Sequence, residues 1–168
     1  MISNGMKTLL VVFDSITGGA RQMAEAAARG AAAQPGMALR LLHADVAGPD
    51  DVLAADGFLF ATPEMLAALS GRMKFFFDRT YYAALDRIQG RPYAVLVCAG
   101  SDGQNALRQI DRIAAGWRLR AVAEPIIVCT HAQTPETIAA PKTIPSDDLR
   151  RCEDLGAAMA AGLAMGIF

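Results

Sequence analysis

Cysteine is scarce in this chain, and none of it is arranged in pairs. Cys98, Cys129 and Cys152 form no Cys-x-x-Cys. That excludes a disulfide framework and leads to the expectation of a reducing compartment, the cytoplasm. Histidine is scarcer still. His43 and His131 have no cysteine pair beside them, so no zinc-ligand pattern is present. Net charge is nearly absent: 16 Lys and Arg stand against 17 Asp and Glu, leaving −1. This balance argues against nucleic acid or an acidic membrane surface as partner. Long apolar runs are missing too. Met1–Val12 lacks the length and cleavage pattern of a secretory signal. Gly156–Phe168 is too short to span a bilayer and reads as a buried or interface helix. With no internal repeat, low-complexity tract or linker, residues 1–168 are expected to form one domain.

What is present is an alternation of short apolar runs with helical periodicity. Residues 8–13 read as a fully buried strand, and 20–33 as a helix with Met23, Ala24, Ala27 and Ala31 inward, ended by Pro35-Gly36. A second strand is expected at 38–43, a short helix from Gly48-Pro49-Asp50-Asp51, and a third strand at 57–61. Thr62–Gly71 reads as a loop. Residues 72–85 read as a helix with Met73, Phe76, Phe77 and Ala84 on one face. A fourth strand (92–99), a helix (104–118, with Leu107, Ile110, Ala114 and Trp117 inside) and a fifth strand (121–129) follow. The segment 130–145 carries three prolines and little periodicity. Ser146 reads as the N-cap of a last helix that buries Leu149, Cys152, Leu155, Met159 and Leu163. Five strands with helices between them predict a doubly wound α/β parallel sheet with helices on both faces; with strand order 2-1-3-4-5, the switch point lies between the first and third strands.

Ligands of such a sheet sit beyond the carboxyl ends of its strands, where the strand order reverses. The loops concerned are 14–20, 62–70 and 99–104. In the first, Asp14-Ser15-Ile16-Thr17-Gly18-Gly19-Ala20-Arg21 joins a strand to a helix. Backbone N–H groups converge at the helix N-terminus, the helix dipole adds positive potential, and Ser15 and Thr17 add hydroxyls. That is a phosphate site, or else an ordinary strand–helix turn. Several chemistries fail at these loops. A P-loop needs lysine where Ala20 stands, and no Gly-x-Gly-x-x-Gly is present. A receiver domain needs Asp where the third strand ends in Ala61-Thr62. Asp14 is not followed by the Asp-x-Asp of a haloacid-dehalogenase-type phosphatase. No arginine stands six residues after Cys98 or Cys129, and no Gly-x-Ser-x-Gly surrounds Ser70 or Ser101.

Ser15-Ile16-Thr17-Gly18-Gly19 matches the pattern Ser/Thr-x-Thr-Gly-x-Thr. Ala61-Thr62-Pro63-Glu64-Met65, continuing through Leu69-Ser70-Gly71-Arg72-Met73-Lys74, and Cys98-Ala99-Gly100-Ser101-Asp102-Gly103 fall at the other two loops. Over nearly its whole length the chain resembles the flavodoxin-like superfamily, and in these loops its NAD(P)H-dependent FMN and quinone reductases. The resemblance implies a flavoprotein oxidoreductase that takes electrons from NAD(P)H onto FMN and passes them to a quinone, free flavin or similar small acceptor. A flavodoxin-type electron carrier is the alternative. The near-neutral charge and the lack of Trp and Tyr in the flavin loops disfavour it.

On that resemblance the FMN phosphate would lie at Ser15, Ile16, Thr17, Gly18, Gly19 and Ala20. The ring would lie between Thr62, Pro63, Glu64, Met65 and Leu66 on one side and Cys98, Ala99, Gly100, Asp102 and Gly103 on the other. Ala20 departs from the pattern, since a hydroxyl residue is usual there, and the missing hydrogen bond is worth roughly 1–3 kcal/mol. Met65 or Leu66 would meet the ring. Asp102 either contributes to the site or caps the next helix. Arg21 reads as a solvated first-turn residue, Cys98 as a buried small hydrophobe, and His131 as a plain loop residue. Phe75, Tyr81 and Tyr82 would pack in the core or in a dimer contact. The aromatic helix 72–85 and the tail 156–168 suggest a homo-oligomer. The long 130–145 segment would cover a flavin edge or an interface. No side chain is singled out as catalytic, and no metal is expected.

Overall fold

The computed structural model describes residues 5–168, so the first four residues of Met1–Val12 lie outside the described residues. β1 (Lys7–Phe13) is a run of apolar residues, and from Leu9 onward it is buried on both faces, as expected of a central parallel strand. Leu9, Val11 and Phe13 face one half of the core; Leu10 and Val12 face the other. β2 (Met37–His43) pairs with β1, and β3 (Gly57–Met65) pairs with its opposite edge, both in parallel. β5 (Pro92–Ala99) pairs with β3 on the far side from β1. It carries β6 (Arg120–Ala121) and β7 (Ile126–Cys129) on its outer edge. The strand order is therefore the expected 2-1-3-4-5, with the fifth strand in two pieces. Pro125 lies in the break; without an N–H it cannot continue the ladder.

On one face, α1 (Gly19–Ala32) and α6 (Ser146–Ala164) pack on the sheet and against each other. A Cβ added at Gly30 would collide with the Glu153 backbone, and one added at Gly156 with that of Ala27. The glycines let these two helix backbones approach directly. The tail's glycines and apolar residues are thus used inside the protomer, where Gly156, Met159, Ala160, Gly162 and Leu163 are buried; Met165 and Ile167 remain exposed. On the other face lie α2 (Pro49–Ala54), α3 (Gly71–Ala84) and α4 (Gln104–Gly116). Phe58, Phe60, Phe76, Phe77 and Trp117 interlock there. Phe75 and Tyr82 point to solvent instead of into the core. Among the described residues no helix is long and apolar enough to cross a membrane.

Three expectations are corrected. The segment 62–71 is no simple loop: β3 runs on to Met65 and folds back through β4 (Ala68–Leu69) as an antiparallel hairpin. Pro63 is tolerated because β1 ends opposite Ala61, so the edge facing β1 needs no further N–H. The turn is made by Leu66 and Ala67, with φ of 49° and 61°. This is the left-handed geometry that matches strand twist, but it is built without the usual Asn or Gly. Within 130–145 there is a short helix, α5 (Pro135–Ala139), capped by Thr134. Ser146 is the first helical residue of α6, and Pro145 holds the cap position.

Candidate functional site

The carboxyl ends of β1, β3 and β5 open into one cavity of about 540 Å³, within the range of small-ligand sites. At one end is the 14–20 loop. Gly18 turns with φ of 92°, a conformation that costs glycine little. Its N–H donates to Ser15 Oγ at 3.1 Å, which leaves the Ser15 hydroxyl proton free to donate. The first intrahelical bond of α1 runs from Gln22 N–H to Gly18 O (3.1 Å), so the N–H groups of Gly19, Ala20 and Arg21 precede any intrahelical acceptor. Ser15, Ile16, Thr17, Gly19 and Ala20 line the cavity there.

The other end is formed by Pro63, Glu64, Met65 and Leu66 from the β3–β4 hairpin and by Cys98, Ala99, Gly100 and Ser101 after β5. Glu64 ties the two together: its Oε2 accepts the Gly103 N–H at 2.7 Å. Cys98 forms part of the floor, and burial pushes its thiol up to about 11. It is the small buried residue expected there, with little thiolate at neutral pH.

Most of the expected residues meet at this cavity, and four do not. Gly18 shapes the turn from behind. Thr62 is fully buried, donating to Pro63 O and bonding Ser70 (3.0 and 3.4 Å). Gly103 is the N-cap of α4, and its N–H is taken by Glu64. Asp102 is exposed and makes no side-chain cap, so the capping alternative is not realised. His131 is exposed and fastens its N–H to Gly100 O (2.8 Å).

Apart from Ser101, the residues that sequence reasoning missed come from the third wall. Thr130, Ala132, Ile138, Ala139 and Lys142 line the cavity from the strap that follows β7. Lys142 N–H donates to Thr17 O at 2.8 Å, which seats the strap on the first loop. The excess length of 130–145 was the only signal of this wall.

Behind the first loop is a buried carboxylate. Asp14 is 1% exposed; its Oδ1 lies 3.1 Å from His43 Nε2 and 3.6 Å from Arg72 Nη1. His43 Nδ1 accepts the Asp45 N–H (3.2 Å), which leaves the Nε2 proton for Asp14. The other oxygen, Oδ2, has no partner among the described residues.

A family model described as NADPH-dependent FMN reductase matches residues 47–134, just over half of the chain. The chain belongs to the NADPH-dependent FMN reductase family. That match covers the hairpin and the 99–104 loop but neither the 14–20 loop nor Lys142. A flavodoxin of Aquifex aeolicus is 38% identical over 96 residues, covering 57% of this chain and 50% of that protein. An NAD(P)H dehydrogenase (quinone) of Acidithiobacillus ferrooxidans is 34% identical over 95 residues, covering 45% of this chain and 48% of that one. The chain spans about half the length of these curated relatives. Among solved structures, a flavodoxin from the domain Archaea superposes with a TM-score of 0.75 at 19% identity, covering 93% of this chain and 98% of that one. At that identity the likeness establishes the flavodoxin-like fold.

The residues present fit FMN, the cofactor that the family implies. The donors at the 14–20 end are backbone N–H groups and hydroxyls, which suit a phosphate. The walls toward the other end are apolar, as an aromatic ring requires. Several apolar side chains that line the cavity are otherwise exposed: Ile16 is 57%, Ile138 55% and Leu66 fully solvent-accessible.

Proposed function

We propose that residues 1–168 act as one FMN-binding unit, an oxidoreductase that moves electrons from NAD(P)H to a small acceptor such as a quinone or free flavin. One observation carries this. Ile16, Met65, Leu66 and Ile138, all exposed apolar side chains, converge on a single cavity whose end is a helix-N-terminal donor loop. A ligand with a flat apolar body and an anionic tail would cover them, and leaving them in water gains nothing.

When bound, FMN supplies the two-electron chemistry between NAD(P)H and the acceptor. The chain's part is placement. The Gly19 and Ala20 N–H groups and the Ser15 hydroxyl hold the phosphate. The hairpin tip at Leu66 and the strap at Ile138 exclude water from the ring. Glu64, held by Gly103, stands among the lining residues as a hydrogen-bond acceptor of fixed position. No side-chain acid or base is required, so orientation and exclusion of water carry the contribution of the protein.

A flavodoxin-type carrier is the second reading, favoured by the similarity to the Aquifex aeolicus protein. Titration with FMN followed by anaerobic NAD(P)H separates the two. Bleaching of the yellow protein by NAD(P)H supports the enzyme. Bleaching only with a partner reductase supports the carrier, and failure to take up FMN refutes both. The cytoplasm is the expected location, from the unpaired cysteines. The exposed Phe75 and Tyr82 on α3 make that helix the expected contact in a homo-oligomer. Light scattering that gives the monomer mass would remove the oligomer.

A further inference from the structure

We propose that Lys142 is the counter-charge for the FMN phosphate, a specificity-determining cation delivered to the first loop by the strap near the other end of the chain. The inference rests on FMN as the ligand of this cavity and adds the residue that distinguishes it from unphosphorylated flavin.

Among the described residues that line the cavity, Lys142 is the only cation and Glu64 the only carboxylate. They are anchored to opposite ends: the Lys142 N–H to Thr17 O at 2.8 Å, and Glu64 to the Gly103 N–H at 2.7 Å. The base of the Lys142 side chain thus lies at the donor loop, where a Cβ added at Gly19 would come 3.5 Å from Lys142 Cβ. Arg21, the arginine nearest in sequence, is not part of the cavity; its guanidinium lies over the Phe13 ring, 5.6 Å from the centroid.

The position of Lys142 is built by a specific clamp. Gln22, in the second turn of α1, donates from Nε2 to Lys142 O (2.7 Å) and to Gly18 O (3.0 Å). Its Oε1 accepts the Ile144 N–H at 3.0 Å. One side chain of the loop's own helix thus holds the strap on both sides of Thr143. The Lys142 ammonium donates to the carbonyls of Thr137, Ile138 and Ala140 at 2.9, 2.8 and 2.5 Å. These bonds fix the cation without neutralising it, and no carboxylate pairs with it among the described residues. Its field reaches the cavity floor, where it opposes the effect of burial on Cys98.

A phosphate monoester carries close to two negative charges at neutral pH. The 14–20 loop answers with neutral donors only, and Ala20 leaves it one hydroxyl short. A fixed cation beside the loop supplies what neutral donors do not, and its contribution vanishes for riboflavin.

The test compares FMN and riboflavin dissociation constants, by flavin fluorescence quenching, for the wild type, Lys142→Met and Lys142→Arg. Methionine keeps most of the aliphatic stem and removes the charge. The expected result is FMN binding weakened about tenfold in Lys142→Met, as for loss of an unpaired cation acting through space on a dianion, its protons being already held by the strap carbonyls. Riboflavin binding stays within about twofold, and the salt dependence of FMN binding flattens. Lys142→Arg retains most of the preference for FMN. If Lys142→Met weakens both flavins equally, or leaves FMN binding unchanged, Lys142 only fastens the strap and the proposal is overturned. A wild-type chain that binds neither flavin instead removes the FMN assignment itself, and this proposal with it.

Discussion

Replacing Gly156 by alanine sets two well-known effects against each other. In the interior of α6, alanine is favoured over glycine by about 1 kcal/mol of helix propensity. The added methyl, however, would sit on the Ala27 backbone, 2.6 Å from its carbonyl carbon and 2.8 Å from its Cα. Carbon atoms prefer separations of about 3.5–4.0 Å, and a backbone cannot rotate aside as a side chain can. The α1 and α6 axes must therefore part by about 1 Å, which loosens Met23, Ala27, Cys152 and Met159 where they share one core. Overpacking of this kind costs about 1–3 kcal/mol and occasionally more. With the upper part of that range set against the propensity gain, the net loss is about 2 kcal/mol. For a chain of this length that corresponds to a fall in Tm of roughly 4–8 °C. Gly116→Ala is the control: it ends α4 with no atom within 4 Å of the new methyl, so Tm should hold or rise slightly. Thermal melting by far-UV circular dichroism reads both. Because α1 carries Gly19 and Gln22, Gly156→Ala should also weaken FMN uptake. If Gly156→Ala melts at or above the parent temperature, propensity has won and the backbone-contact argument is wrong.

Other outcomes follow from the same geometry. Ala20→Thr adds a hydroxyl at the cavity wall and should tighten FMN by about tenfold or more, the value of one hydrogen bond to a charged group; an unchanged or weaker dissociation constant would show that the buried Ala20 site has no room for it. Leu66→Ser changes a fully exposed residue, so the urea midpoint should move by no more than about 0.5 kcal/mol equivalent, while flavin affinity drops; equal affinity would place the ring elsewhere. Burial raises the Cys98 and Cys152 thiols to about 11 from 9.0. A pKa raised by folding means stability is full below pH 9 and is lost as pH climbs toward 11, because the unfolded chain gives up its protons first. The slope is at most about 1.4 kcal/mol per pH unit for each thiol. Urea melts of Cys152→Ala should show a shallower loss across that window, and an identical pH profile would rule out the thiol as its source.

The parts of the fold legible in sequence are those set by local pattern. Leu9–Val12 and Phe58–Ala61 are apolar without alternation because both faces of a central parallel strand are covered. Met23, Ala24, Ala27 and Ala31 recur at helical spacing because one side of α1 packs inward. The 14–20 loop was legible because hydroxyls and adjacent glycines at a strand–helix junction have few other uses. The hairpin after Ala61 was not, since its left-handed turn uses Leu66 and Ala67, residues that carry no turn signal. Nor was the seating of the Lys142 backbone on Gln22, a contact that spans 120 residues of sequence.

Periodicity and local chemistry determined which segments are strands, which faces of the helices turn inward and where a donor loop can form, because each depends on neighbours a few residues apart. Only the tertiary structure decided that a strap from the far end of the chain closes that loop, that Asp14 meets His43 and Arg72 behind it, and that Glu64 and Lys142 line one cavity. Those contacts join segments tens of residues apart. Their strength comes from burial and exact approach, and neither leaves a repeating mark in the sequence.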